Sequence, residues 1–119
     1  MVVANEMKTK IGSGNGKIIY LAGPYRSKTE EGKRENIWHA IRAACRLAEL
    51  GWYPICPHAN TANFELYTNL PDEYWIDMGL ELLSRSDAVF MLKGYEQSQG
   101  AMVELELAKR LNKEIYYES

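Results

Sequence analysis

"SDAVFMLKGYEQSQGAMVELELAKRLNKEIYYE", residues 86–118, is the stretch on which the fold reading turns. Residues 87–92 form a short apolar run after a polar start, the pattern of a buried strand. Residues 93–100 are polar and contain two glycines, as a loop does. From 101 to about 110 the apolar residues recur at helical spacing. "EIYYE" (114–118) is a second strand-like run. Strand, helix and strand in such short compass predict a βαβ unit with a parallel strand pair.

The same alternation extends upstream. "KIIYLAG" (17–23) is an apolar run closed by Gly-Pro and reads as a buried strand. From about Glu31 to Leu50 the spacing is helical. Ile37, Ala40, Ile41, Ala44, Leu47 and Ala48 share one face; Glu35, Arg42, Arg46 and Glu49 share the other. Gly51 is placed to end this helix. Trp38 and Trp75 fall at core spacing and are expected to pack inside, whereas His39 falls on a polar face. "WYPICP" (52–57) reads as another strand, and residues 57–70 as a long loop with a helical turn. Helix signals resume at Pro71-Asp72-Glu73 and run to about Ser86.

The expected fold is therefore α/β. It is a small parallel sheet of about four strands in the order 2-1-3-4, with helices on both faces, flavodoxin-like or Rossmann-like. Residues 1–16, ending in "GSGNG", read as a flexible lead-in, and residues 17–119 as one domain. Ligands of such sheets bind beyond the carboxyl ends of the strands where the strand order reverses. Here that point lies between the first and third strands, flanked by "GPYR" (23–26) and "KGYEQSQG" (93–100).

Composition narrows the function classes. The 119 residues are 46% hydrophobic, enough for a core and too many for disorder. A net charge of −2 offers no basic stripe for nucleic acid. No apolar run reaches membrane-span length, and the N-terminus lacks the apolar segment of a signal peptide. Cys45 and Cys56 form no CxxC pair and read as reduced thiols, pointing to the cytoplasm. Two Cys and two His are too few for a zinc site, and no metal is expected.

Glu104 is the anomaly. On a helical wheel Val103, Leu107, Leu111, Ala108, Ala101 and Leu105 form one arc, with Glu104 in its middle. A first-turn carboxylate favours the helix dipole. A capping box would want Ser or Thr at residue 101, which is Ala. The alternative is a partly desolvated carboxylate at a ligand crevice, acting as nucleophile or base. Ser98-Gln99-Gly100 precedes the same helix, where free N–H groups suit an anion such as phosphate, or where Ser98 simply caps. Gly23 allows close backbone approach, Tyr25 can stack on a base and Arg26 can pair with phosphate; alternatively they form a plain turn. His58 is either a crevice residue or a structural histidine.

"IYLAGPYR", Asn36 near a helix start, "GWYPICPHA" and "LLSRSDAVFMLKGYEQSQGAMVELELAKR" occur in that order. This combination resembles the nucleoside 2-deoxyribosyltransferase superfamily, including its 2′-deoxynucleoside 5′-phosphate N-hydrolases, over about residues 17–118. The resemblance implies that Glu104 attacks the sugar C1′ and that Ser98 sits where monophosphate hydrolases carry Ser. It places Tyr25 and Arg26 in the first loop that packs against substrate; Gly23, His58, Gly94 and Gly100 join Ser98 as further candidate substrate-binding residues. The enzymes it resembles carry an Asp eight residues before the Asp that opens the third strand. Counting back from Asp87 gives Gly79 instead. Asp72 and Asp77 are the candidate replacement carboxylates.

The expected activity is cleavage or transfer of an N-glycosidic bond on a nucleoside or nucleoside 5′-monophosphate, through Glu104 and without cofactor. The rival is an inactive nucleotide-binding or sensing module of the same fold, favoured by Gly79. Expected partners are the small-molecule substrate and a second copy of the chain, as a homodimer or higher oligomer, with no nucleic acid or membrane.

Overall fold

A computed structural model describes residues 11–119. Strands β1 (Ile18–Ala22), β2 (Tyr53–Ile55), β3 (Ala88–Met91) and β4 (Glu114–Tyr117) form one sheet in the order β2-β1-β3-β4. All three pairings are parallel. The connections carry helices α1 (Glu30–Glu49), α2 (Pro57–Asn60), α3 (Asp72–Ser84) and α4 (Gln99–Arg110). Two 3₁₀ turns, Phe64–Leu66 and Tyr95–Gln97, interrupt the loops. Among the described residues no helix is long and apolar enough to cross a membrane. The expected strand order and fold class are those observed.

Successive side chains of a strand point to opposite faces, so each central strand serves two cores. Ile19 and Leu21 pack with Ala40, Ala43 and Leu47 of α1. Tyr20 and Ala22 pack with Leu83 of α3 and Ala101, Leu105 and Ala108 of α4. Ile19, Leu21, Leu83 and Met91 are fully buried, each contributing about 2 kcal/mol of transfer free energy.

The helical faces are narrower than their sequence periodicity. On α1, Ala40, Ala43 and Leu47 are buried, while Ile41 and Ala48 are exposed. Trp38, expected in the core, is 61% exposed, with the Arg42 guanidinium 4.7 Å over its ring. Trp38 lies outside the narrow buried face of α1 that Ala40, Ala43 and Leu47 form against the sheet. The core tryptophan is Trp52, whose Nε1–H donates to the Gly12 carbonyl at 2.9 Å. Trp75 is only partly buried and makes edge contacts with Phe64 and Tyr74. On α4, Ala101, Leu105 and Ala108 are buried, but Val103 and Leu111 are exposed. His39 is not merely solvated: its Nε2 lies 2.7 Å from the Glu118 carboxylate.

Gly51 closes α1 with a φ of +88°. Of the expected lead-in, residues 1–10 lie outside the described residues. In residues 11–16, Gly14 and Gly16 donate backbone hydrogen bonds to the Leu50 and Gly51 carbonyls. Cys45 and Cys56 are free.

Candidate active site

A cavity of about 690 Å³ opens beyond the carboxyl ends of β1 and β3, where the strand order reverses. One wall is Tyr20, Leu21 and residues 23–26, and another is residues 97–101 with Val103 and Glu104 at the start of α4. Pro57, His58, Thr61 and Glu65 add the α2 side. Asp72, Trp75, Ile76 and Met78 add α3. At Gly23 a Cβ would stand 2.6 Å from Leu92 Cβ, so glycine lets the loops after β1 and β3 meet at the reversal point.

The base of the cavity holds a tight pair. Tyr20 Oη donates to Glu104 Oε2 at 2.5 Å. The strand puts Tyr20 on the α4 side, and helical spacing puts Glu104 beside Ala101 and Ala108 on the buried side of α4. Burial pushes the Glu104 carboxyl up to about 7, against the opposing hydrogen bond from Tyr20. Burial, then the charge and hydrogen bond of Glu104, hold the Tyr20 phenol far above the usual tyrosine range. Tyr20 thus remains a proton-bearing donor. Glu104 Oε1 has no hydrogen-bond partner among the described residues, which leaves it available to a ligand.

Gly79 explains how close this pair sits. A Cβ there would stand 2.6 Å from Tyr20 Oη and 2.8 Å from Glu104 Oε2. The α3 backbone therefore seals one side of the pair, and no side chain enters from that position.

The loop after β1 is fastened from below. Asn36 Nδ2 donates to the Tyr25 and Arg26 carbonyls at 3.1 and 3.3 Å. Tyr25 Oη donates to the Glu65 carboxylate, 3.1 Å from each oxygen, and accepts from Asn63 N–H at 2.8 Å. Lys33 Nζ holds the same carboxylate at 3.2 Å. Burial works against ionisation of Glu65, but its own backbone N–H, Lys33 and Tyr25 outweigh it and lower its pKa. Tyr25 therefore ties two loops together and offers the cavity its ring.

The α4 end of the cavity is rich in donors. Ser98 caps α4, its Oγ accepting from Ala101 N–H at 3.2 Å, and it also lines the cavity. Both alternatives drawn for Ser98 are thus compatible in one geometry. The helix's own ladder leaves the N–H groups of Gln99 and Gly100 unused. A Cβ on Gly100 would meet nothing within 4 Å, so the protein's own packing does not demand glycine there.

The remaining sequence candidates separate. Arg26 and Asp72 both line the cavity and pair with each other at 2.7 Å across its mouth. Asp77 is exposed and does not line it. Gly94 lies behind the wall, with a φ of +90° at the start of a 3₁₀ turn. His58 is buried, and its Nε2–H donates to the Pro24 carbonyl at 2.8 Å. Burial pushes its pKa down, against the pull of the Pro24 and Gly23 carbonyls, so the ring is neutral. Its Nδ1 has no hydrogen-bond partner among the described residues.

Sequence reading missed Tyr20, Glu65 and the cavity position of Trp75. Tyr20 had a signal: it is the one hydroxyl in an otherwise apolar strand, and a buried tyrosine hydroxyl usually finds a partner. Glu65 and Trp75 lie in segments whose placement depends on distant contacts. Comparison with curated proteins gives no match. The family described as "Domain of unknown function (DUF4406)" matches residues 17–117, nearly the whole of the described fold, and the chain belongs to that family.

Proposed function

We propose that the chain cleaves or transfers the N-glycosidic bond of a nucleoside or nucleoside 5′-monophosphate, with Glu104 as nucleophile. The observation that carries this reading is the Tyr20–Glu104 pair at the base of a ligand-sized cavity. A carboxylate held by one oxygen and free at the other is arranged for attack. Glu104 Oε1 would attack C1′ through an oxocarbenium-like transition state as the C1′–N bond breaks. Water, or a second base, would then release the sugar from Glu104. Tyr20 orients the carboxylate and withdraws some of its charge.

Ser98 Oγ–H and the N–H groups of Gln99 and Gly100 would take the 5′-phosphate, favoured by the α4 dipole. Arg26 would add charge only by leaving Asp72. The test is to incubate the protein with deoxynucleosides, ribonucleosides and their 5′-monophosphates and to measure free base by chromatography. Base release that Glu104→Gln abolishes supports the reading; no release from any of these, nor from N-glycosides with a cationic base, overturns it.

One observation favours a binding module of the same fold. No side chain from position 79 reaches the Tyr20–Glu104 pair to assist a departing base. Ligand binding without turnover would select that reading. The free cysteines suit a cytoplasmic protein. Exposed Phe64, Leu66, Tyr67 and Leu70 beside the α3 wall suit self-association, which light scattering would test.

A further inference from the structure

Among the described residues the cavity offers a candidate nucleophile but no free acid. Tyr20 spends its proton on Glu104. Tyr25 spends its own on Glu65, and the single ring N–H of neutral His58 goes to the Pro24 carbonyl. Glu65 and Asp72 are carboxylates engaged by Lys33 and Arg26. A guanidinium is not an acid at neutral pH. Among the described residues these are all the titratable groups lining the cavity besides Glu104. A neutral nucleobase expelled from C1′ departs as an anion unless it is protonated, and nothing here is free to protonate it.

We propose that the site takes N-glycosides whose base is already cationic, a pyridinium or an N-alkylated purine, so that the base leaves neutral without a proton. The inference rests on the glycosidic reading above and names its substrate class. The α3 wall suits such a base. Asp72, Trp75 and Gly79 are three and four residues apart, on one helix face. Gly79 abuts Glu104, so Trp75 lies one turn from the reacting carboxylate, and Asp72 lies one turn further toward the mouth. Trp75 lines the cavity, and an indole with a carboxylate near it attracts a cationic ring. Among the described residues three carboxylates line the cavity; Glu65 is paired with Lys33 and Asp72 with Arg26, which leaves Glu104 without a cationic partner.

The chemistry balances. The Glu104 carboxylate forms a bond to C1′ while the C1′–N pair moves onto the base nitrogen, cancelling the positive charge of the ring. Water then attacks C1′, the C1′–Oε pair returns to Glu104, and one proton passes to solvent. No oxidant, reductant or metal enters the balance.

Two pairs of probes test the proposal. One is nicotinamide mononucleotide with its neutral 1,4-dihydro form; the other is 7-methylguanosine 5′-monophosphate with guanosine 5′-monophosphate. Base release above the spontaneous rate is expected from the cationic member of at least one pair, about 100-fold or more faster than from its neutral partner. In Glu104→Gln the cationic member of that pair should also bind more tightly, and adding Trp75→Leu should narrow that preference about tenfold. Equal release from both members of each pair overturns the proposal and leaves the glycosidic reading standing. No release from any of the four overturns both.

Discussion

Tyr20 Oη and Glu104 Oε2 meet at 2.5 Å across 84 residues of chain, joining the second core of the sheet to the base of the cavity. The contact lowers the cost of a carboxylate that burial alone would hold neutral. It also leaves Oε1 as the only oxygen free to react.

Replacing Tyr20 with Phe removes the hydrogen bond that opposes burial, so the Glu104 pKa should rise further above about 7. Turnover at neutral pH should fall about 10- to 100-fold, as loss of a charge-assisted hydrogen bond dictates. The acid limb of the pH–rate profile should move to higher pH. An unmoved limb would show that Tyr20 is only a packing residue.

Glu104→Gln should abolish base release yet make the fold more stable at high pH. The folded-state pKa of about 7 exceeds the ordinary 4.5, so the folded chain holds an extra proton between these values. Glu104 therefore costs stability as pH rises through that window, reaching about 3 kcal/mol above it. Denaturant melts should show the advantage of the variant growing from pH 5 to pH 8. A constant offset would contradict the buried-carboxylate account.

Gly79→Ala sets two effects against each other. Alanine favours a helix interior over glycine by about 1 kcal/mol. Its Cβ would stand 2.6 Å from Tyr20 Oη and 2.8 Å from Glu104 Oε2. Overpacking of that kind costs about 1–3 kcal/mol, so a net loss in thermal stability is expected together with loss of activity. A stabilised, active variant would mean that the pair has room to move.

Gly100→Ala should behave in the opposite way. Nothing lies within 4 Å of the added Cβ, so the melting temperature should hold. Calorimetry should show weaker binding of a 5′-monophosphate, because the methyl group would crowd the backbone donors of α4. Unchanged affinity would place the phosphate elsewhere.

Ser98→Asp separates capping from recognition. Aspartate caps helices about as well as serine, so stability should be retained. Its charge would repel a phosphate at the cavity end of α4, so wild type should bind a monophosphate more tightly than its nucleoside and the variant should not. Equal effects on both ligands would leave Ser98 as a cap alone.

Local patterns sufficed wherever a feature depends on neighbours in the chain. Apolar runs marked β1, closed by Gly-Pro, and β3, and the helical period between 101 and 110 turned Glu104 inward. Parallel strands joined by helices then led to the order β2-β1-β3-β4, because crossover connections allow few alternatives. Periodicity overstated the buried faces because it records apolarity and not which residues meet the sheet. Trp52, just past α1, packs in one core with Ala40, Ala43 and Leu47, whereas Trp38 faces out. The partners of the site were likewise beyond local reading. Tyr25 finds Glu65 40 residues away and Arg26 finds Asp72 46 residues away. Tyr20 reaches Glu104 only because β1 lies under α4 and Gly79 lets α3 close over both. Such contacts are made by the packing of elements against one another, and no spacing within a single element encodes them.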